Sequence, residues 1–178
     1  VVIIGLTSCE GRRTSSQSLA ESIEEFKKTV NLEVDVFIPD SYVERHVDTL
    51  LNNGFKVSIK TFTDMENNVH FSKIKDTINY QTYYRNFKFE IAIKKDDKLI
   101  YNEAFNKQRV NKDFNTKENL IFDDFDKLAV LKSIQINEDP LLVDKVNIDI
   151  LYVIPETKKY ATFTLAIDDK GRSTISQI

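Results

Sequence analysis

Cysteine occurs once in the 178 residues, at Cys9, so the chain cannot form an internal disulfide, and a thiolate metal cluster would need cysteines from other chains. Tryptophan is absent and methionine occurs once. The two histidines, His46 and His70, belong to no HExxH motif or other ligand repeat, so no metal site is expected. Four glycines and three prolines are too few for a collagenous or generally flexible chain. Excess positive charge is missing too. Lys and Arg number 25 against 28 Asp and Glu, a net charge of -3, which offers no field to attract a polyphosphate, and nucleic acid is not an expected partner. The apolar run Val1–Leu6 falls far short of the roughly 20 residues that cross a bilayer. No P-loop, GxGxxG phosphate cradle or GxSxG nucleophile elbow is present. No catalytic residue and no cofactor are therefore assigned.

What remains is a folding composition. Hydrophobic residues make up 41% of the chain, with 12 Phe and 7 Tyr, enough for one ordinary core. Leu19, Ile23 and Phe26 have helical spacing. Val34, Val36 and Ile38 alternate as a strand before Pro39. Ser41 with Glu44 reads as a capping box, followed by Val43, Val47, Leu50 and Leu51 as a helical stripe and by Asn52-Asn53-Gly54 as a stop. Phe55, Val57 and Ile59 resume a strand, and Met65–His70 reads as a polar excursion.

Further on, the period of two is strong. Phe87, Phe89, Ile91 and Ile93 share one face of a strand, and Lys94–Lys98 reads as a hairpin turn into Leu99–Phe105. Phe122-Asp123-Asp124-Phe125 reads as a short helical turn, and Leu128–Ile136 as a strand closed by Pro140. Val146, Ile148, Ile150 and Tyr152 alternate, as do Phe163, Leu165 and Ile167, with a reversal at Pro155–Lys159 and a hairpin at Asp168-Asp169-Lys170-Gly171. Strands in succession rather than βαβ units predict an α+β fold: a single domain dominated by an antiparallel β-sheet with one or two helices. It is expected over residues 29–178.

Site chemistry is sparse. Asp123, Asp124 and Asp126 lack the offsets and glycine of a calcium loop, and read as a solvated acidic stretch. Tyr80, Tyr83 and Tyr84 are the candidate ligand-binding residues. If they project together from an exposed sheet, they form a platform for a carbohydrate or peptide; otherwise they are core or edge rings. A hydrolase would need carboxylates brought together from distant positions.

The N-terminus is more specific. Leu6-Thr7-Ser8-Cys9 resembles a bacterial lipobox, placed between an apolar run and the polar stretch Glu10–Ser16. That resemblance implies a signal-peptide remnant over 1–8, cleavage before Cys9, acylation of its sulfur, and a partly helical tether over 9–28. Acyl chains contribute roughly 0.8 kcal/mol of membrane affinity per buried CH2. Glu10, where an Asp would be associated with inner-membrane retention, favours the outer membrane, with the periplasmic or surface face left open. Over about residues 50–178 the strand order, including Phe87–Tyr101 and the Asp168–Gly171 turn, resembles small uncharacterised lipoproteins of the Bacteroides group. The resemblance implies a Gram-negative cell-envelope lipoprotein in binding, scaffolding or structural service. Its partners would be the membrane, through Cys9, and an envelope protein, peptide or glycan.

Overall fold

The computed structural model describes residues 14–29, 32–113, 125–139 and 141–178. Their order is α1 (Ser15–Thr29), β1 (Leu32–Ile38), β2 (Glu44–Leu50), β3 (Phe55–Lys75), β4 (Ile78–Lys95), β5 (Lys98–Phe105), α2 (Lys107–Asp113), α3 (Phe125–Leu128), β6 (Val130–Asn137), β7 (Lys145–Val153), β8 (Tyr160–Asp168) and β9 (Ser173–Gln177). The fold class is α+β with predominantly antiparallel pairing, as the alternation predicts. The strands form two sheets: a five-stranded one ordered β1-β4-β3-β2 with β5 added on β4, and a four-stranded one ordered β6-β7-β8-β9. The described residues fall into two compact units, one comprising those up to Val34 with Ser72–Tyr80, the other those of Asp35–Phe71 with Gln81–Ile178.

In the smaller unit, Thr14 precedes α1 and its backbone N–H bonds Gln17 Oε1 at 3.1 Å, satisfying one group at the helix start. The predicted apolar stripe is present, but Leu19, Ile23 and Phe26 are 62%, 45% and 59% exposed. At the tip of the β3–β4 hairpin, Asp76 and Thr77 both have positive φ, the geometry of a two-residue turn that matches strand twist.

The larger unit holds the core. Phe55, Val57 and Ile59 of β3 and Phe89, Ile91 and Ile93 of β4 come from the first sheet. Val146, Ile148, Ile150 and Tyr152 of β7 and Phe163, Leu165 and Ile167 of β8 come from the second, and all are buried in one cluster. These are the residues whose period of two the sequence displays, so alternation set the face each strand buries. Burial leaves the Tyr152 hydroxyl without a partner among the described residues and pushes its ionisation well above the ordinary phenol value. The β8–β9 turn comes close against β5: a Cβ at Gly171, whose φ is +77°, would clash with the Ile100 carbonyl oxygen. At the other end, Asn53 Nδ2 donates to the carbonyls of Leu142 at 2.8 Å and Lys145 at 3.2 Å. The short helix α2 lodges Val110 in the core. Its buried Lys107 donates to the Ala129 carbonyl at 2.9 Å, which meets part of the hydrogen-bonding demand of a cation removed from water.

Two expectations are corrected. Residues 44–50 form the strand β2 rather than a helix, paired with β3 so that Val47 lies opposite Ile59 and Thr49 opposite Val57. The capping box does not form, because the Ser41 hydroxyl donates to Asp40 and the Glu44 carboxylate is taken by Tyr42, His46 and Lys60. Val47 and Thr49 are β-branched and suit the pleat, a tertiary pairing that outweighs the helical spacing. Likewise Met65–His70 is no excursion: β3 runs through it to Lys75, with Val69 buried inside the run. Pro140 and the Phe122–Asp124 part of the expected helical turn lie outside the described residues, whereas Phe125 opens α3 and is buried.

Candidate interaction face

Successive side chains on a strand point to opposite faces, so Tyr83 and Tyr84 cannot share a platform. The structure separates them accordingly. Tyr84 meets Phe71 edge to face at 5.8 Å, and its hydroxyl donates to Glu156 Oε1 at 3.3 Å in the β7–β8 turn. Burial, then the Glu156 carboxylate, pushes the Tyr84 phenol above its ordinary value. Tyr83 stacks instead between Phe37 of β1, at 4.8 Å and 16°, and His70 of β3, at 4.7 Å and 21°. Tyr80 lies in the smaller unit. The three candidate tyrosines are therefore not brought together, and Tyr83 is joined by residues from two other strands.

That group is ordered along one face. Phe37, Tyr83 and His70 stand as near-parallel rings across three strands, and the Arg85 guanidinium, two residues along β4 from Tyr83, lies 4.7 Å from the Phe37 ring, a cation-π contact beside a cross-strand stack. Arg85 is oriented by the Pro39 and Met65 carbonyls, both at 3.2 Å. His70 Nε2 is hydrogen-bonded to Gln81 Oε1. Since an amide oxygen only accepts, Nε2 carries the proton and Nδ1 is the basic nitrogen of the neutral ring. His70 is exposed, Phe37 is 38% exposed, and Tyr83 and Arg85 are half-buried, so the stack is open to solvent although each member is held. Its ring faces are spent on one another. What it offers outward is ring edges, an imidazole and a guanidinium.

Beside Arg85, Asp64 is the most buried carboxylate described in this region, 6% exposed. Burial alone would raise its ionisation, but the Asn67 amide at 2.9 Å, the Glu66 N–H at 3.1 Å and Lys88 at 3.3 Å outweigh it and hold the carboxyl below its ordinary range. On the outer face of β2, Glu44 receives the Tyr42 hydroxyl at 2.5 Å, His46 Nε2 at 2.9 Å and Lys60 at 3.2 Å, in that order of effect, and its carboxyl is lowered to about 2. A groove of about 510 Å³ on this sheet is lined by Asp48, Leu50, Lys56, Ser58, Ala92 and Lys94 among others. It is open and carries no ring.

The remaining candidates are placed simply. Asp168 accepts from the Lys170 and Arg172 N–H groups at 3.0 and 2.8 Å and pairs with the Arg172 side chain at 2.7 Å, fixing the β8–β9 turn. Cys9, Asp123 and Asp124, and the Asp126 side chain, lie outside the described residues. Among the described residues no group of three His, Cys, Asp or Glu side chains is placed to hold a metal, and no helix is long and apolar enough to cross a membrane. Comparison of the sequence with known protein families and with curated proteins finds no match to either.

Phe37, His70 and Arg85 are invisible as a set in the sequence, because Phe37 joins the other two through strand pairing across more than 30 residues. The one available signal was parity: Phe37 falls off the Val34–Ile38 face that the alternation marks as apolar.

Proposed function

We propose that this chain is a non-catalytic binding module of a bacterial cell envelope, attached to the membrane through acylated Cys9 and presenting the Phe37–Tyr83–His70 face to a protein or peptide. The observation that carries the binding role is the exposed ring stack with Arg85 against Phe37, an arrangement assembled from three strands and left uncovered by the chain's own described residues. A sugar platform needs free ring faces. Tyr83 has both of its faces covered, so the edges, imidazole and guanidinium that remain suit aromatic and acidic side chains better than pyranose rings. The anchor rests on Leu6-Thr7-Ser8-Cys9 and its placement.

Both parts are testable in one expression system. With a complete export signal, the mature chain is expected to begin at an acylated Cys9 by intact mass, and Cys9→Ser to move the protein from the membrane to the soluble fraction. A mature chain beginning at Ser8 or earlier removes the anchor. For the binding face, peptide and glycan arrays probed with the chain should give peptide binding lost in Phe37→Ala and Arg85→Ala. Glycan binding that survives both substitutions refutes the assignment of this face.

A further inference from the structure

Along the five-stranded sheet, β2 pairs with β3 only from Lys56 to Phe62, and β4 lies on the other side of β3. From Met65 to Phe71 the far edge of β3 therefore has no strand beside it among the described residues. Edges are ordinarily blunted by shortness, irregularity or cationic side chains. Three of the other edges show this: β9 has five residues, β6 carries Lys132 beside a register shift, and β2 carries Arg45. Met65-Glu66-Asn67-Asn68-Val69-His70-Phe71 has no Lys, Arg or Pro. It is a pairing template left open.

We propose that two copies of this chain pair through this edge, antiparallel about a two-fold axis at Asn68, joining their five-stranded sheets into one. The two-residue turn at Asp76-Thr77 makes Lys75 and Ile78 a bonded pair, so by the period of two counted back from it the amides of His70, Asn68 and Glu66 point away from β4, toward the open edge; Thr63, of the other parity, bonds Val43 on that side, and the alternation changes at Asp64, whose side chain takes the Glu66 N–H. An axis at Asn68 uses those groups, and the Asp64 side chain ends the ladder. In this register Glu66 lies opposite the partner's His70, twice by symmetry, bringing a carboxylate to an imidazole on the ring-stack face. On the other face Met65 lies opposite the partner's Phe71, a sulfur-aromatic pair. Shifting the axis to Glu66 sets two carboxylates opposite each other, and shifting it to His70 sets two imidazoles opposite each other. The charge pattern thus selects one register and one occupant, a second copy.

Sedimentation of the full chain carrying Cys9→Ser should show a concentration-dependent monomer–dimer equilibrium. Glu66→Lys should weaken the dimer by about tenfold, and Glu66→Lys with His70→Glu, which restores opposite charges in exchanged places, should recover it. In the same background Asn68→Cys should form a disulfide-linked dimer on mild oxidation, since facing residues in an antiparallel pair lie within disulfide reach, and Asn67→Cys should not. A chain that stays monomeric, a dimer indifferent to Glu66→Lys, or cross-linking at 67 in place of 68 overturns the proposal. Should Asn68→Cys fail to fold, the charge exchange decides alone. The result is separable from the partner reading above: a monomer leaves ring-face binding standing, and loss of peptide binding in Phe37→Ala leaves the dimer standing.

Discussion

The two halves of β4 follow different rules. From Phe89 to Ile93 every second side chain is fully buried under the second sheet, and the intervening ones are polar or small. From Gln81 to Asn86 the buried positions are an amide at each end, with Tyr83 and Arg85 engaged in a stack between them. In the first half the hydrophobic effect fixes the face, and any apolar side chain of suitable volume would serve. In the second half rings, a guanidinium and amides meet particular partners, and stability is exchanged for an exposed, chemically specific surface.

The sharpest break in that contrast comes from truncation. Phe89→Ala should cost about 3–5 kcal/mol by chemical denaturation, as the site is wholly buried and stacked on Phe105 at 5.0 Å. Tyr83→Ala in the other half should cost only about 1 kcal/mol, since it removes stacking and little burial. Equal losses would show that the upstream half is core after all. Between them in size, Gly171→Ala should cost roughly 2–3 kcal/mol through a backbone clash and an unfavourable φ, measured as a lowered Tm with the sheets otherwise intact. The smallest effect concerns pH. The Glu44 carboxyl, at about 2 when folded against an ordinary 4.5, contributes stability that is full above its unfolded value and is lost as pH falls toward 2. Glu44→Gln should therefore lower stability slightly at neutral pH and flatten part of the acid limb of a stability profile, the difference closing as pH falls toward 2; an unaltered limb would remove the Tyr42–Glu44–His46 cluster from the account.

The same contrast explains what could be read in advance. β7 and β8 were legible residue by residue, because Val146–Tyr152 and Phe163–Ile167 bury one parity and are bounded by turn residues. β2 was not: its spacing of Val43, Val47, Leu50 and Leu51 fits a helix as well as an edge strand, and only the register with β3 decides. The division into two sheets was equally hidden, since alternation reports a face and not a neighbour. For the candidate site the tyrosine-rich stretch was found, but one of its three rings was carried into the stack and its companions, Phe37 and His70, were missed. Sequence distance conceals cross-strand partners. Asp96 and Asp97, by contrast, lie at the expected hairpin turn, and their positive φ values are ones Asp tolerates better than most side chains.

The close approach of Gly171 to Ile100 also gives the two-sheet body a direction in which to breathe. Where the Gly171 turn meets Ile100 of β5, backbone approaches backbone, leaving no side chain that could rotate aside. Along the opposite margin, a gap of about 340 Å³ lined by Val47, Thr49, Ile134 and Ile136 separates β2 from β6. The first margin acts as a spine and the second as the free edge of the pages. Amide exchange should begin at β2 and β6 before β5, and reach the buried central strands β4, β7 and β8 last, so that the local opening of the fold is polarised before any global unfolding.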